Sequence, residues 1–346
     1  MQCVRSPDGL NKEKNIVVGY AKVEKEKEIK SMEKMRFEEF KDAVVKGIKE
    51  WLPESFAGAH VSLQVVTKNN DVKLTGLTIT SEESNITPTI YLEQFFEKYQ
   101  DGTDMSEILR KIAEIRVQNE IEGNFDAEQI IDFDRCKKRI FPRLIGFEMN
   151  RDLLEQRPHV LIEDLAVVFH IDLGNYDDGS MTVPINNQLS VMWGMDADAL
   201  YDLAVKNLTD ANVGTFNSMT EVMAEMMLPQ MIDECDGDHE AAEQILSEMM
   251  PPEEKMYVLS KKDRINGAAI LLDKNMMKKV IEKVGTDFYI LPSSVHECLI
   301  VPAEVWMELE DFEAMVQEVN ATQVAVHDRL SDHVYRYTAE SGIIRA

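Results

Sequence analysis

Apolar residues at Phe37, Phe40, Val44, Ile48 and Trp51 recur every three or four positions, the spacing of one face of a helix, and Pro53 ends the pattern. The spacing then changes to strict alternation. Val61, Leu63 and Val65 alternate with polar residues, Asn69-Asn70-Asp71 supplies turn chemistry, and Val72 and Leu74 resume the alternation. That pattern predicts a β-hairpin. Beyond Gly76 the apolar phase moves to Leu77 and Ile79, which predicts a bulge at the glycine. Helices are expected over 90–100, 104–121 and 133–156. The second carries Met105, Ile108, Ile112 and Ile115 on one face, and Pro142 should kink the third. Asp164 to Ile171 reads as a strand, Asp177-Asp178-Gly179 as its turn, and Met181 to Ile185 as the return strand. Helices follow at 196–207, 217–231 and 238–249.

From residue 255 the pattern becomes strand-rich. Met256–Leu259, Ala268–Leu272, Phe288–Leu291, Val295–Val301 and Val334–Tyr337 read as strands, with Pro292-Ser293-Ser294 separating the third from the fourth. Met276–Val284, ended by Gly285, and Phe312–Val319 read as helices. The expected class is therefore α+β: helices with an N-terminal β-hairpin, an acidic and mostly helical middle, and a compact C-terminal strand-rich α+β unit. The boundaries drawn from these changes of style are 1–31, 32–157, 158–254 and 255–346. Residues 1–31 hold a mixed-charge run, Lys22 to Glu28, and little to bury, so they read as a disordered leader, with Met32 or Met35 the better start. No repeat with a period of about 20–50 residues is visible.

With 44% apolar and 29% charged residues among 346, the chain can build an ordinary core. Its net charge of −26 is less ordinary. Residues 158–254 hold twenty acids against one base, Lys206, so the acidity belongs to the middle of the chain. Such a charge repels nucleic-acid phosphates and anionic lipid, and argues against direct binding to either. Cys3, Cys136, Cys235 and Cys298 lie far apart, which fits reduced thiols better than a disulfide framework or a zinc cluster. No apolar run approaches a membrane span, and Ile16 to Gly19 is too short for a secretory signal. These features point to the cytoplasm.

Within the acidic middle, Met219, Met223, Met226, Met227 and Met231 follow helical spacing. Methionine adapts to irregular partners, so this stripe reads either as a permissive docking face for a protein partner or as core filler. The acidic run 232–243 fails as a calcium loop. Aligning Gly237 with the invariant glycine puts Ile232 where the first carboxylate should be. No phosphate loop, G-x-S-x-G elbow or H-E-x-x-H is present, so no cofactor, metal or catalytic residue is assigned. The richest polar group is C-terminal, and its candidate binding residues are Ser293, Ser294, His296, Asn320 and Gln323. Serine beside histidine, with Asp328 or Asp332 as orienter, is the composition of a hydrolytic site. The same residues also serve as turn and cap chemistry at element ends.

The segments Tyr289 to Glu297, Val319 to Val324, Lys68 to Leu77, Asn85 to Leu92 and Met192-Trp193-Gly194 resemble a clostridial family of uncharacterised bacterial proteins, domain of unknown function 5688. The resemblance spans roughly 36–340 and implies no activity, cofactor or site residue. The leading expectation is a non-catalytic cytoplasmic interaction or accessory protein. The alternatives are a hydrolase using Ser293 or Ser294 with His296, and an acidic DNA mimic that occupies a basic nucleic-acid-binding protein.

Overall fold

The computed structural model describes residues 34–81, 87–120, 126–176, 179–249, 255–285, 287–304, 308–338 and 340–346. The leader 1–31 and Asp177-Asp178 of the expected turn lie outside the described residues, as does the side chain of Ser293. The chain is α+β and divides into two compact units. One comprises the chain up to Val66 with Leu74–Phe125, the other Thr67–Lys73 with Asp126–Ala346.

In the first unit, α1 (Phe37–Gly47) runs into a 3₁₀ turn, Ile48–Trp51. Strands β1 (His60–Thr67), β2 (Lys73–Thr80) and β3 (Thr89–Tyr91) form a sheet in that order. Helices α2 (Glu93–Gln100) and α3 (Met105–Gln118) follow. Phe40, Val44 and Ile48 meet Leu77, Ile79, Phe95, Ile108 and Ile112 in one buried core; Val61 and Leu63 pack partly against it, while Trp51 and Val65, at the ends of their patterns, are exposed. On the β3 side the pairing runs unbroken through Gly76↔Tyr91, Leu77↔Ile90 and Thr78↔Thr89. The glycine answers a steric need there, because a Cβ would lie 2.4 Å from the Thr89 methyl. Arg116 is fully buried in this unit. Its Nε donates to the Ile79 carbonyl at 2.7 Å, its guanidinium pairs with Glu120, and it stacks over Phe56.

In the second unit, β4 (Ile140–Gly146), β5 (His159–Ile162), β6 (Leu165–Tyr176) and β7 (Gly179–Pro184) form an antiparallel sheet. β6 is central, with β4 on one edge and β5 then β7 along the other. The helix expected over 133–156 is therefore replaced by short turns and β4. Pro142 forbids the helix, and an edge strand tolerates a residue with no N–H to give. Helices α4 (Asn187–Trp193) and α5 (Ala197–Ala211) come next, and α5 adds Leu200, Ala204 and Leu208 to the main core.

A six-stranded antiparallel sheet has the order β13-β12-β10-β11-β9-β8. Its strands are β8 (Gly214–Ser218), β9 (Tyr257–Lys261), β10 (Asp287–Ser294), β11 (Glu297–Pro302), β12 (Tyr335–Thr338) and β13 (Gly342–Arg345). Between β8 and β9 stand α6 (Met219–Glu234) and α7 (His239–Met249). α8 (Lys274–Val284) precedes β10, and α9 (Leu309–Thr322) follows β11. Because β8 pairs with β9, this sheet crosses the boundary expected at 254/255. β8, β13 and α4 were not expected. Ala268–Leu272 is 3₁₀ rather than strand: all six residues of Gly267–Leu272 are buried, and an all-apolar run carries no periodicity to tell the two apart. Pro292-Ser293-Ser294 belongs to β10 and meets β11 through a register shift, with the turn at Val295-His296.

Candidate functional site

The β10–β11 turn, the 325–330 segment and the Asn69-Asn70-Asp71 turn of the second unit are tied together mainly by backbone groups. Asn69 Nδ2 donates to the carbonyls of His327 and Arg329 at 2.9 and 3.2 Å. Asn70 Nδ2 donates to the carbonyls of Val326 and Arg329 at 2.6 and 2.8 Å. Asn150 closes the other side: its Oδ1 accepts from Asn70 N–H and its Nδ2 donates to Asn70 Oδ1. Val295 N–H donates to the Asp328 carbonyl at 2.8 Å, so the Asp328 carboxylate is set beside the turn that carries His296.

His296 Nδ1 accepts from the Asn266 N–H at 3.2 Å, which places the ring proton on Nε2, where it donates to Asp328 Oδ1 at 3.2 Å. The His296 carbonyl accepts from Ser260 Oγ at 2.7 Å. Gly267 packs so closely here that a Cβ would lie 2.3 Å from the His296 oxygen and 2.7 Å from the Lys261 nitrogen. Ser294 Oγ accepts from the His296 N–H at 3.0 Å, a local turn bond. With Nδ1 engaged by Asn266, the imidazole has no free acceptor for a serine proton.

Asn320 and Gln323 are held elsewhere. Asn320 is buried and donates to the Ser331 carbonyl and to Asp332 Oδ1, both at 2.8 Å, fastening the end of α9 to the 331–332 turn. Gln323 is exposed at the C-terminal cap of α9 and donates its N–H to Val319. Neither shares a hydrogen-bond partner with His296.

Two further polar groups lie outside the candidate residues, although His333 of the first belongs to the same C-terminal polar cluster. Asp164, in the β5–β6 turn, binds His333 Nδ1 through Oδ2 and the Tyr335 hydroxyl through Oδ1, each at 2.5 Å. Burial favours the neutral acid, but the Tyr335 and His333 bonds outweigh it and hold the carboxyl below its usual range. Tyr335 is pushed upward by burial and then by Asp164. Ser331 Oγ touches the Tyr335 hydroxyl at 2.8 Å, so tyrosine rather than imidazole stands between serine and acid.

The other group lies on one face of the β4–β6–β5 sheet. Cross-strand partners share a face, as do alternate residues along a strand. Arg143 pairs with Val168, His159 also pairs with Val168, and His170 pairs with Phe141, so Arg143, His159 and His170 project from the same side. Arg143 Nε and His170 Nδ1 are sealed from solvent without a hydrogen-bond partner. Burial lowers both the Arg143 and Arg157 guanidinium pKa values; Asp328 partly offsets the first, and Arg143 adds to the second. Burial, then the charges of Arg143 and Lys261, brings His170 down to about 3, so the ring is neutral at pH 7.

A family model matches residues 37–339. The chain belongs to DUF5688, a family of unknown function. No curated protein and no solved structure matches it. Membership of DUF5688 thus spans nearly all the described chain and brings no residue role with it.

In this DUF5688 chain, no cluster of three or more His, Cys, Asp or Glu among the described residues is arranged to hold a metal ion. No helix among them is long and apolar enough to cross a membrane. Two signals in the sequence lead toward the Arg143 face. His170 interrupts the apolar run Leu165 to Ile171, and Arg143 sits among apolar residues just after Pro142. Reading 133–156 as a helix hid the second of them.

Proposed function

We propose that this DUF5688 protein is a non-catalytic interaction protein of the cytoplasm that docks a basic amphipathic helix of a partner protein on the α6–α7 pair. The carrying observation is a cluster of exposed methionines on α6. Met223 is 41% exposed, Met226 66% and Met227 36%, while Val222 and Met231 of the same helix are buried. The helix is firmly started: Ser218 Oγ accepts from the Glu221 N–H, and Glu221 accepts from the Ser218 N–H. Its C-terminal half packs Leu228, Met231 and Ile232 against Ala242 and Leu246 of α7. α7 adds exposed Ile245 and Met249 to the apolar surface of the pair.

The surroundings favour a basic occupant. Residues 219–249 hold nine acids and no lysine or arginine, with Glu221, Glu225, Glu234, Glu240, Glu243 and Glu248 all exposed. Flexible thioethers accept varied apolar side chains, and an acidic rim selects a basic partner. The test is titration with a leucine–lysine amphipathic helical peptide and with a scrambled peptide of the same composition. Saturable binding of the amphipathic peptide, weakened at least tenfold by Met226→Glu with Met227→Glu, supports the reading. Equal binding of both peptides, or no effect of the double substitution, overturns it. Both side chains are partly exposed on α6, so the fold should survive their replacement.

A further inference from the structure

We infer that the face of the four-stranded sheet carrying Arg143 and His170, together with Arg157, is a binding site for a small oxyanion. The inference rests on how this chain treats its other arginines. Each of the other described arginines makes a hydrogen bond or an ion pair: Arg116 with Glu120 and the Ile79 carbonyl, Arg336 with Asp287, Arg151 with Glu148, Arg264 with Glu225. Even Arg139 and Arg329 donate to backbone carbonyls. Arg143 and Arg157 have neither a hydrogen bond nor an ion pair among the described residues, although both are partly buried. In a chain with 63 acids and 37 lysines and arginines, an arginine whose Nε is sealed from solvent without a partner, beside a second arginine with no ion pair, is out of character.

A buried charge without a partner is costly, so a fold keeps one where something else completes it. Asp328 offsets that cost only in part: it faces Arg143 electrostatically but makes no hydrogen bond or ion pair with it, its Oδ1 accepting instead from His296 Nε2. Lys261 contributes positive potential at His170 but is already within 3.4 Å of Asp263. The imidazole of His170, neutral with Nδ1 unpartnered, can turn a ring N–H toward an anion without adding charge. Guanidiniums match the paired oxygens of phosphate and carboxylate, and partial exposure of Arg143 and Arg157 leaves a small ion a way in. The ligand class is thus an oxyanion, either a phosphate or a carboxylate.

The site is separate from the α6–α7 docking face and does not depend on that reading. The experiment titrates the full chain with inorganic phosphate and, in a second arm, with succinate, reading heat of binding, melting temperature and the ring resonances of His170. Saturable binding in either arm, with a shift at His170 and at least a tenfold weaker response in Arg143→Gln, is expected; the stronger arm identifies the ligand chemistry. A conservative Arg143→Lys variant should keep part of the response. Ligand-free Arg143→Gln should melt no lower than the parent, since it removes an unpaired buried charge. Absence of saturable binding in both arms overturns the proposal. So does unchanged binding in Arg143→Gln, or a large loss of melting temperature in ligand-free Arg143→Gln, which would mark the arginine as structural.

Discussion

At Asn70 the backbone has φ 62°, and Asp71 follows at 50°, conformations that asparagine and aspartate tolerate and β-branched residues do not. The same asparagine gives two hydrogen bonds to the 326–329 segment and exchanges two with Asn150. Asn70→Val should therefore cost about 2–4 kcal/mol in urea unfolding, from strain plus unpaired polar groups. An equally stable variant would contradict this account of the turn. His296, with both ring nitrogens bonded, should lose about 1–3 kcal/mol on truncation to alanine, measured the same way. His170 makes a pH prediction. Its folded pKa of about 3 lies below the ordinary value near 6.5, so the folded state binds fewer protons than the unfolded one between those limits. Its contribution to stability is complete above about pH 6.5 and is lost as pH falls toward 3, which amounts to about 2 kcal/mol between pH 7 and pH 5. His170→Asn should flatten that slope; an unchanged slope would mean that other groups set it.

Among the elements, amphipathic helices and alternating strands were legible from their period, and the buried strands β6 and β9 from their apolar run between turn residues, whereas two other apolar runs were misread. α1, the β1–β2 hairpin, α3 and α5 each show a period in their side chains, and each lies within a few residues of its expected position, as does α6. β4 was misread because its apolar residues Ile140, Phe141, Leu144 and Ile145 fall in adjacent pairs and the run therefore lacks alternation. The 3₁₀ segment Gly267–Leu272 was misread for the same reason. Of the candidate site, the closeness of His296 to a possible orienting acid, Asp328, was legible. Its partner Asn266 was not, because a left-handed backbone N–H aimed at a ring has no signature in residue types. Arg143 and His170 come together through strand register, which single-sequence patterning does not specify. At this scale Gly267→Ala is informative. The added methyl meets backbone atoms of β9 and of the β10–β11 turn that cannot rotate away, so the melting temperature should fall by the equivalent of about 1–3 kcal/mol. A neutral substitution would show that the 3₁₀ segment packs less tightly against β9 and β11.

For the molecule as a whole, a net charge of −26 makes every encounter with a cationic partner fast and salt-sensitive, whichever surface finally holds it. Electrostatics alone therefore cannot identify a docking face, and the proposed α6–α7 site rests on the exposed methionines. Raising salt should weaken binding of the amphipathic peptide, while the part of the affinity carried by Met223, Met226 and Met227 should persist. Binding that vanishes entirely with salt would reduce the partner to a charge-matched polycation and favour imitation of nucleic-acid phosphates, as would displacement by duplex DNA. The most direct measurement is hydrogen–deuterium exchange of the full chain with and without the leucine–lysine peptide. The α6–α7 account predicts slower exchange concentrated in residues 219–249; protection confined to other segments, or none anywhere at saturating peptide, would contradict it.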